Sequence, residues 1–187
     1  MGVLIAGVVL WSTVHLFPSV ASGLRSTMID RLGSNSYRGL FALLILSALA
    51  MIIIGWKTAT PHSVYIPLIP PGLVASTMML AAFILFVAAQ SKTNIKRYIR
   101  HPQLTAVALW AIAHLLANGE SRSIILFGGF GAWAVLSMAL INRRDGAREK
   151  PAPVSAMGDV LVGVIGIIGF AAVTYFHRSL FGVPAVQ

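Results

Sequence analysis

Six apolar stretches run along the chain, at residues 2–21, 39–56, 72–90, 103–116, 124–141 and 157–176, and basic or turn-forming segments separate them. A helix needs about 20 apolar residues to cross the ~30 Å hydrocarbon core of a bilayer. Most of these stretches reach or approach that length, and the fourth is the shortest. Its ends are nonetheless well marked. Pro102 suits a first helical turn, where its missing N–H leaves no partner wanting, and Asn118-Gly119 reads as a C-cap pair. The expected fold is therefore all-α, an integral membrane bundle of six transmembrane helices. Composition supports it: 57% of the residues are hydrophobic and 10% are charged, whereas soluble domains carry roughly 25% charged residues. Six spans consume about 120 residues, so the 187-residue chain reads as one transmembrane domain, 1–187, with no sizeable soluble part.

The formal net charge of +9 would raise the question of nucleic acid in a soluble protein. Here no basic stretch is interleaved with stacking aromatics, and the charge reads as topology. Loops one, three and five hold eleven Lys and Arg, against three in loops two and four and after the last segment. The positive-inside rule then puts both termini outside the cytoplasm, with loops one, three and five inside. The first stretch lacks a basic n-region and an A-x-A site, and reads as a retained helix rather than a signal peptide. The absence of Cys excludes disulfides, thiolate metal ligation and covalent c-type haem.

Loop two, 58–71, holds four prolines together with Tyr65 and reads as a segment on the outer interface. Gly163, Gly166 and Gly169 in the last stretch, and Gly128, Gly129 and Gly131 in the fifth, predict faces of close helix packing.

Two of the five histidines, His15 and His114, fall inside spanning stretches, where an ionisable side chain is costly and marks a candidate site. Both repeat one pattern, Trp11-x-x-x-His15-Leu16 and Trp110-x-x-x-His114-Leu115, which puts a Trp one turn earlier on the same face. Around His15 that face offers Ser12, Ser19 and Ser22. Around His114 it offers Ala111, Ala117 and Asn118, with Val107 two turns back. Two imidazoles, mostly small walls and no competing thiol fit bis-His ligation of a b-type haem in a helix bundle; a hydrogen bond from each His to a backbone carbonyl is the plainer alternative. The two histidines sit at unequal depths in their helices, so His101 competes as the partner of His15. The fourth helix, shortest and ending at Asn118-Gly119, is expected to be the looser one, making His114 the imidazole that leaves when a small gas binds.

Arg100-His101-Pro102, with Arg97 in support, places cations at a helix N-terminus, where backbone N–H groups favour an anion. It reads either as a positive-inside anchor or as a site for a carboxylate or phosphate such as haem propionates. Asp159 reads as an interfacial first-turn residue. Carboxylates are too sparse for paired acid–base chemistry, and no Gly-rich phosphate loop, Ser elbow or zinc spacing is present.

Arg100-His101-Pro102-Gln103, Trp110, the run from Ala113 to Glu120, Trp11 and His15-Leu16 together resemble the NnrU family over nearly the whole chain. The resemblance implies a role in nitrite and nitric oxide metabolism of denitrifying bacteria. It also implies kinship with 15-cis-zeta-carotene isomerase, a membrane protein whose haem b is held by two histidines; the matching positions here are His15 and His114. The expected partners are membrane lipid, an electron donor, and a small gas or hydrophobic small molecule. A haem-dependent polyene isomerase and a non-catalytic accessory protein are the alternatives. Methyl transfer of the isoprenylcysteine methyltransferase type, which shares an Arg-His-Pro piece, lacks its downstream Glu and Tyr-rich stretch here.

Overall fold

The computed structural model describes residues 1–67, 72–183 and 185. Among them the chain is helical, with α1 (Gly2–Val20), α2 (Ser22–Leu32), α3 (Ser34–Thr58), α4 (Gly72–Gln90), α5 (Ile95–Tyr98), α6 (Pro102–Ala117), α7 (Ser121–Ser123), a π-helical turn at Ile124–Gly128, α8 (Gly129–Asp145) and α9 (Ala156–Phe181). The all-α membrane expectation holds, with a difference in count. Five helices are long and apolar enough to cross a membrane, whereas the fourth apolar stretch forms the shorter α6 of 16 residues. Loop one is helical rather than open: α2 fills it, and α3 starts at Ser34, well before the apolar stretch. Polar side chains do not interrupt i→i−4 bonding, so a helix runs on into the interface until Gly33, with φ 80°, breaks it.

The described residues form two compact units, each drawn from separate parts of the chain. The first comprises α1, α2, α3, residues 59–66, α7, the π turn and α8. Leu4, Val8 and Ile52 are its buried core, with Trp11, Trp56 and Phe130 packed against them. The α1–α3 crossing is close because glycine is present on both helices. A Cβ on Gly7 would lie 2.8 Å from the Ile52 nitrogen, and one on Gly55 would lie 2.6 Å from the Leu4 Cα.

Residues 62–65 are tied to the start of α7. Val64 and Tyr65 N–H donate to the Gly119 carbonyl (2.8 and 3.2 Å) and Ser121 N–H donates to the His62 carbonyl (2.9 Å). Gly119 does not have positive φ; it is needed because a Cβ there would overlap the Tyr65 carbonyl. Loop two is thus a surface segment up to Pro67, and its residues 68–71 lie outside those described.

The second unit comprises α4, α5, α6 and α9. Ala82, Leu85 and Ala106 form its core, with Ile95, Ile99, Leu109 and Trp110 around them. Of the glycines spaced by three in α9, Gly166 meets α4 most closely: a Cβ would lie 2.8 Å from the Ile84 Cα, whereas Gly163 faces open space. At one end of this unit Asp159 does more than sit at an interface. Its carboxylate accepts from the Thr93 hydroxyl, from Asn94 N–H at 2.7 Å and from the Asn94 side-chain amide at 2.7 Å. Asn94 in turn exchanges hydrogen bonds with the Val154 backbone (2.9 and 3.0 Å). This cluster locks the 93–95 turn onto the start of α9 and fixes where α5 and the following Arg100-His101 segment emerge. Large apolar side chains such as Leu43, Leu46, Ile165 and Ile168 are exposed on the long helices, as lipid contact requires.

Candidate functional site

His15 and His114 are each held by their own helix in the same way. The Nδ1 of His15 lies 2.9 Å from the Trp11 carbonyl, and the Nδ1 of His114 lies 2.8 Å from the Trp110 carbonyl. A carbonyl only accepts, so Nδ1 carries the proton in both rings and the lone pair resides on Nε2. That bond fixes tautomer and ring orientation together, the arrangement that supports a metal-ligating imidazole. It is also the plain structural role weighed from sequence, and the two roles are compatible in one side chain. The i−4 Trp thus contributes its backbone as well as its ring: Trp11 lies 4.3 Å from the His15 ring and Trp110 lies 5.2 Å from the His114 ring.

The surroundings of His15 differ from the small-walled face expected. Trp133 of α8 stands edge-on at 5.2 Å and Phe41 of α3 at 5.7 Å, with Phe130 packed on Trp11 at 5.4 Å. The serines are engaged elsewhere: Ser12 donates to the Val8 carbonyl and Ser19 receives Arg144. The indole N–H groups of Trp11 and Trp133 are both buried without a partner. Such donors are costly to leave unmade, and two of them beside one imidazole suit a site completed by a group with its own acceptors. Trp133, Phe41 and Phe130 were missed in the sequence. A Trp deep in a spanning stretch, away from the interfacial belt where Trp concentrates, was the signal available for Trp133.

On α6, one turn before His114, Ala111 is buried. The end of α6 is capped. Asn118 caps the His114 carbonyl twice, through its backbone N–H at 2.8 Å and its side-chain amide at 3.0 Å, in an extended rather than left-handed conformation.

Arg100 and His101 are brought together with Lys96, Gln103 and Arg148 around a cavity of about 370 Å³ at the start of α6. His101 occupies the N-cap position, its side chain making no capping bond. Arg97 does not line that cavity, and its Nε is buried without a partner. Arg148 was not singled out from sequence, because the turn made by Asn94 and Asp159 is what returns that segment to α6. His62 is exposed and His177 donates to the Val183 carbonyl at 2.7 Å. No group of three or more His, Asp or Glu side chains able to hold a metal ion comes together among the described residues, so a bare ion has no protein cage here.

The family described as NnrU protein matches residues 3–185. The chain belongs to the NnrU family. The match crosses both structural units and takes in His15, His101 and His114 alike. No curated protein and no solved structure matches this NnrU-family chain.

Proposed function

We propose that this NnrU-family protein is a haem b-binding protein of the bacterial inner membrane that serves nitrite and nitric oxide metabolism or a related redox step, with His15 and His114 as the residues that would hold the haem. The observation that carries the reading is the matched Nδ1-to-carbonyl bond on both histidines, which leaves the Nε2 lone pair as the ligating position in each. Family membership supports the nitrogen-oxide context. A donor set of two imidazoles without thiolate suits haem, which brings four nitrogens of its own and needs no three-residue protein cage.

Haem, when bound, would supply an iron able to exchange electrons and to take a diatomic gas. The protein's contribution is orientation and exclusion of water. Trp11 and Trp110 hold the imidazoles through their carbonyls, and Trp133, Phe41 and Phe130 keep the His15 side apolar. Arg100 and His101, with Lys96 and Arg148 on the same cavity, offer donors for carboxylates at the membrane boundary. An absorption spectrum of the detergent-purified protein tests the proposal. A Soret band with sharp low-spin α and β bands on reduction is expected, and carbon monoxide or nitric oxide added to the ferrous protein should shift it. Protein reconstituted with haem that shows no such bands would overturn it.

The same reading puts both termini in the periplasm, from the excess of Lys and Arg in loops one, three and five. An alkaline phosphatase fusion after Gln187 should be active and a fluorescent protein fused there should be dark. The reverse pattern would invert the orientation.

A further inference from the structure

A second cavity, of about 300 Å³, lies within the first unit and is bounded by Pro18, Arg25, Tyr37, Arg38 and Phe41. Tyr37 is 8% exposed, and its hydroxyl is buried with no hydrogen-bond partner. A phenol buried this way loses its water and gains nothing, so an acceptor brought by a ligand would complete it. The groups beside it define that acceptor's charge. The Arg25 guanidinium stands 5.6 Å from the centre of the Tyr37 ring and Arg38 is next in the chain. No carboxylate lines the cavity, and neither arginine is in an ion pair among the described residues. Two arginines and a tyrosine lining a space without acid suit an oxyanion.

The setting specifies what carries the oxyanion. The cavity lies where α1 ends, α2 runs and α3 begins, at the membrane–water boundary on this side. Pro18 and Phe41 give it an apolar wall. Leu24 of α2 and Leu40 and Leu43 of α3 are exposed nearby in sequence, as surfaces for acyl chains would be.

We infer that Arg25, Arg38 and the Tyr37 hydroxyl form a site for the phosphate of an anionic phospholipid headgroup. The inference is independent of haem, since none of its three donors belongs to the proposed ligand set. Tyr37 is the discriminating residue, because it is predicted to act in opposite directions with and without the lipid.

The experiment compares the parent, Tyr37→Phe and the Arg25→Gln/Arg38→Gln double variant by native mass spectrometry and thermal unfolding. The probes are phosphatidylglycerol, phosphatidylcholine and inorganic phosphate. The parent should retain phosphatidylglycerol in preference to phosphatidylcholine. A hydrogen bond to a charged group accounts for roughly tenfold in affinity, so Tyr37→Phe should lower phosphatidylglycerol retention about tenfold and the double variant should lower it further. Without anionic lipid, Tyr37→Phe should melt at or above the parent, because it removes an unsatisfied group. With phosphatidylglycerol it should melt below. Equal retention by parent and Tyr37→Phe, or a Tyr37→Phe melting difference of one sign in all conditions, overturns the inference. Protection by inorganic phosphate alone, with no preference for phosphatidylglycerol, assigns the site to free phosphate and overturns the lipid source.

Discussion

His15→Ala and His114→Ala are each expected to abolish the low-spin haem spectrum or convert it to a high-spin one. The two rings are equivalent in support, each with Nδ1 committed to the carbonyl one turn back, and a low-spin haem would need both imidazoles. His62→Ala and His177→Ala should leave the spectrum unchanged, as His62 is exposed on the surface loop and His177 donates to the Val183 carbonyl. His101→Ala should at most weaken haem retention. Reduced and oxidised spectra with a pyridine haemochrome count of occupancy decide the matter. Full low-spin occupancy in the His114→Ala protein would remove His114 from the ligand set. The same spectrum lost in His101→Ala instead would make His101 the partner of His15.

Gly55→Ala and Gly166→Ala should each destabilise the protein by about 1–3 kcal/mol, the usual cost of overfilling a packed contact. In both cases the new methyl meets backbone. It would lie 2.6 Å from the Leu4 Cα in the first variant and 2.8 Å from the Ile84 Cα in the second. A flexible side chain could turn aside, but a helix backbone has to move as a body. Gly163→Ala is the matched control on α9. It faces open space, and the change from Gly to Ala inside a helix contributes up to about 1 kcal/mol of stability. Thermal unfolding in one detergent should therefore show opposite signs for Gly163→Ala and Gly166→Ala, three residues apart on one helix. Equal shifts would mean that the α4–α9 contact is not the close approach described.

Glycine spacing in α9 thus announced close packing without identifying which glycine makes it. Residues 163, 166 and 169 look alike in sequence, and only the rotation of α9 against α4 distinguishes them. The ends of α6 show the same division. Pro102 marked the start, and the structure keeps it at the first turn. Asn118-Gly119 marked the end, but each residue has a reason that sequence does not carry. Asn118 caps the carbonyl of His114, and Gly119 makes room for the Tyr65 carbonyl.

By itself the sequence determined the solvent, the helical class, and the His15 and His114 pattern with its preceding Trp residues. These are properties of composition and of spacing along one helix: burial of apolar runs in lipid forces intrahelical bonding, and an i−4 carbonyl is within reach of a His ring in any helix. Only tertiary structure decided that His15 sits among Trp133 and Phe41, that Asp159 anchors Asn94, and that Arg25 meets Tyr37. These residues are far apart in the chain and carry no shared period. What joins them is the packing of one helix on another, which depends on side-chain shapes on both faces at once.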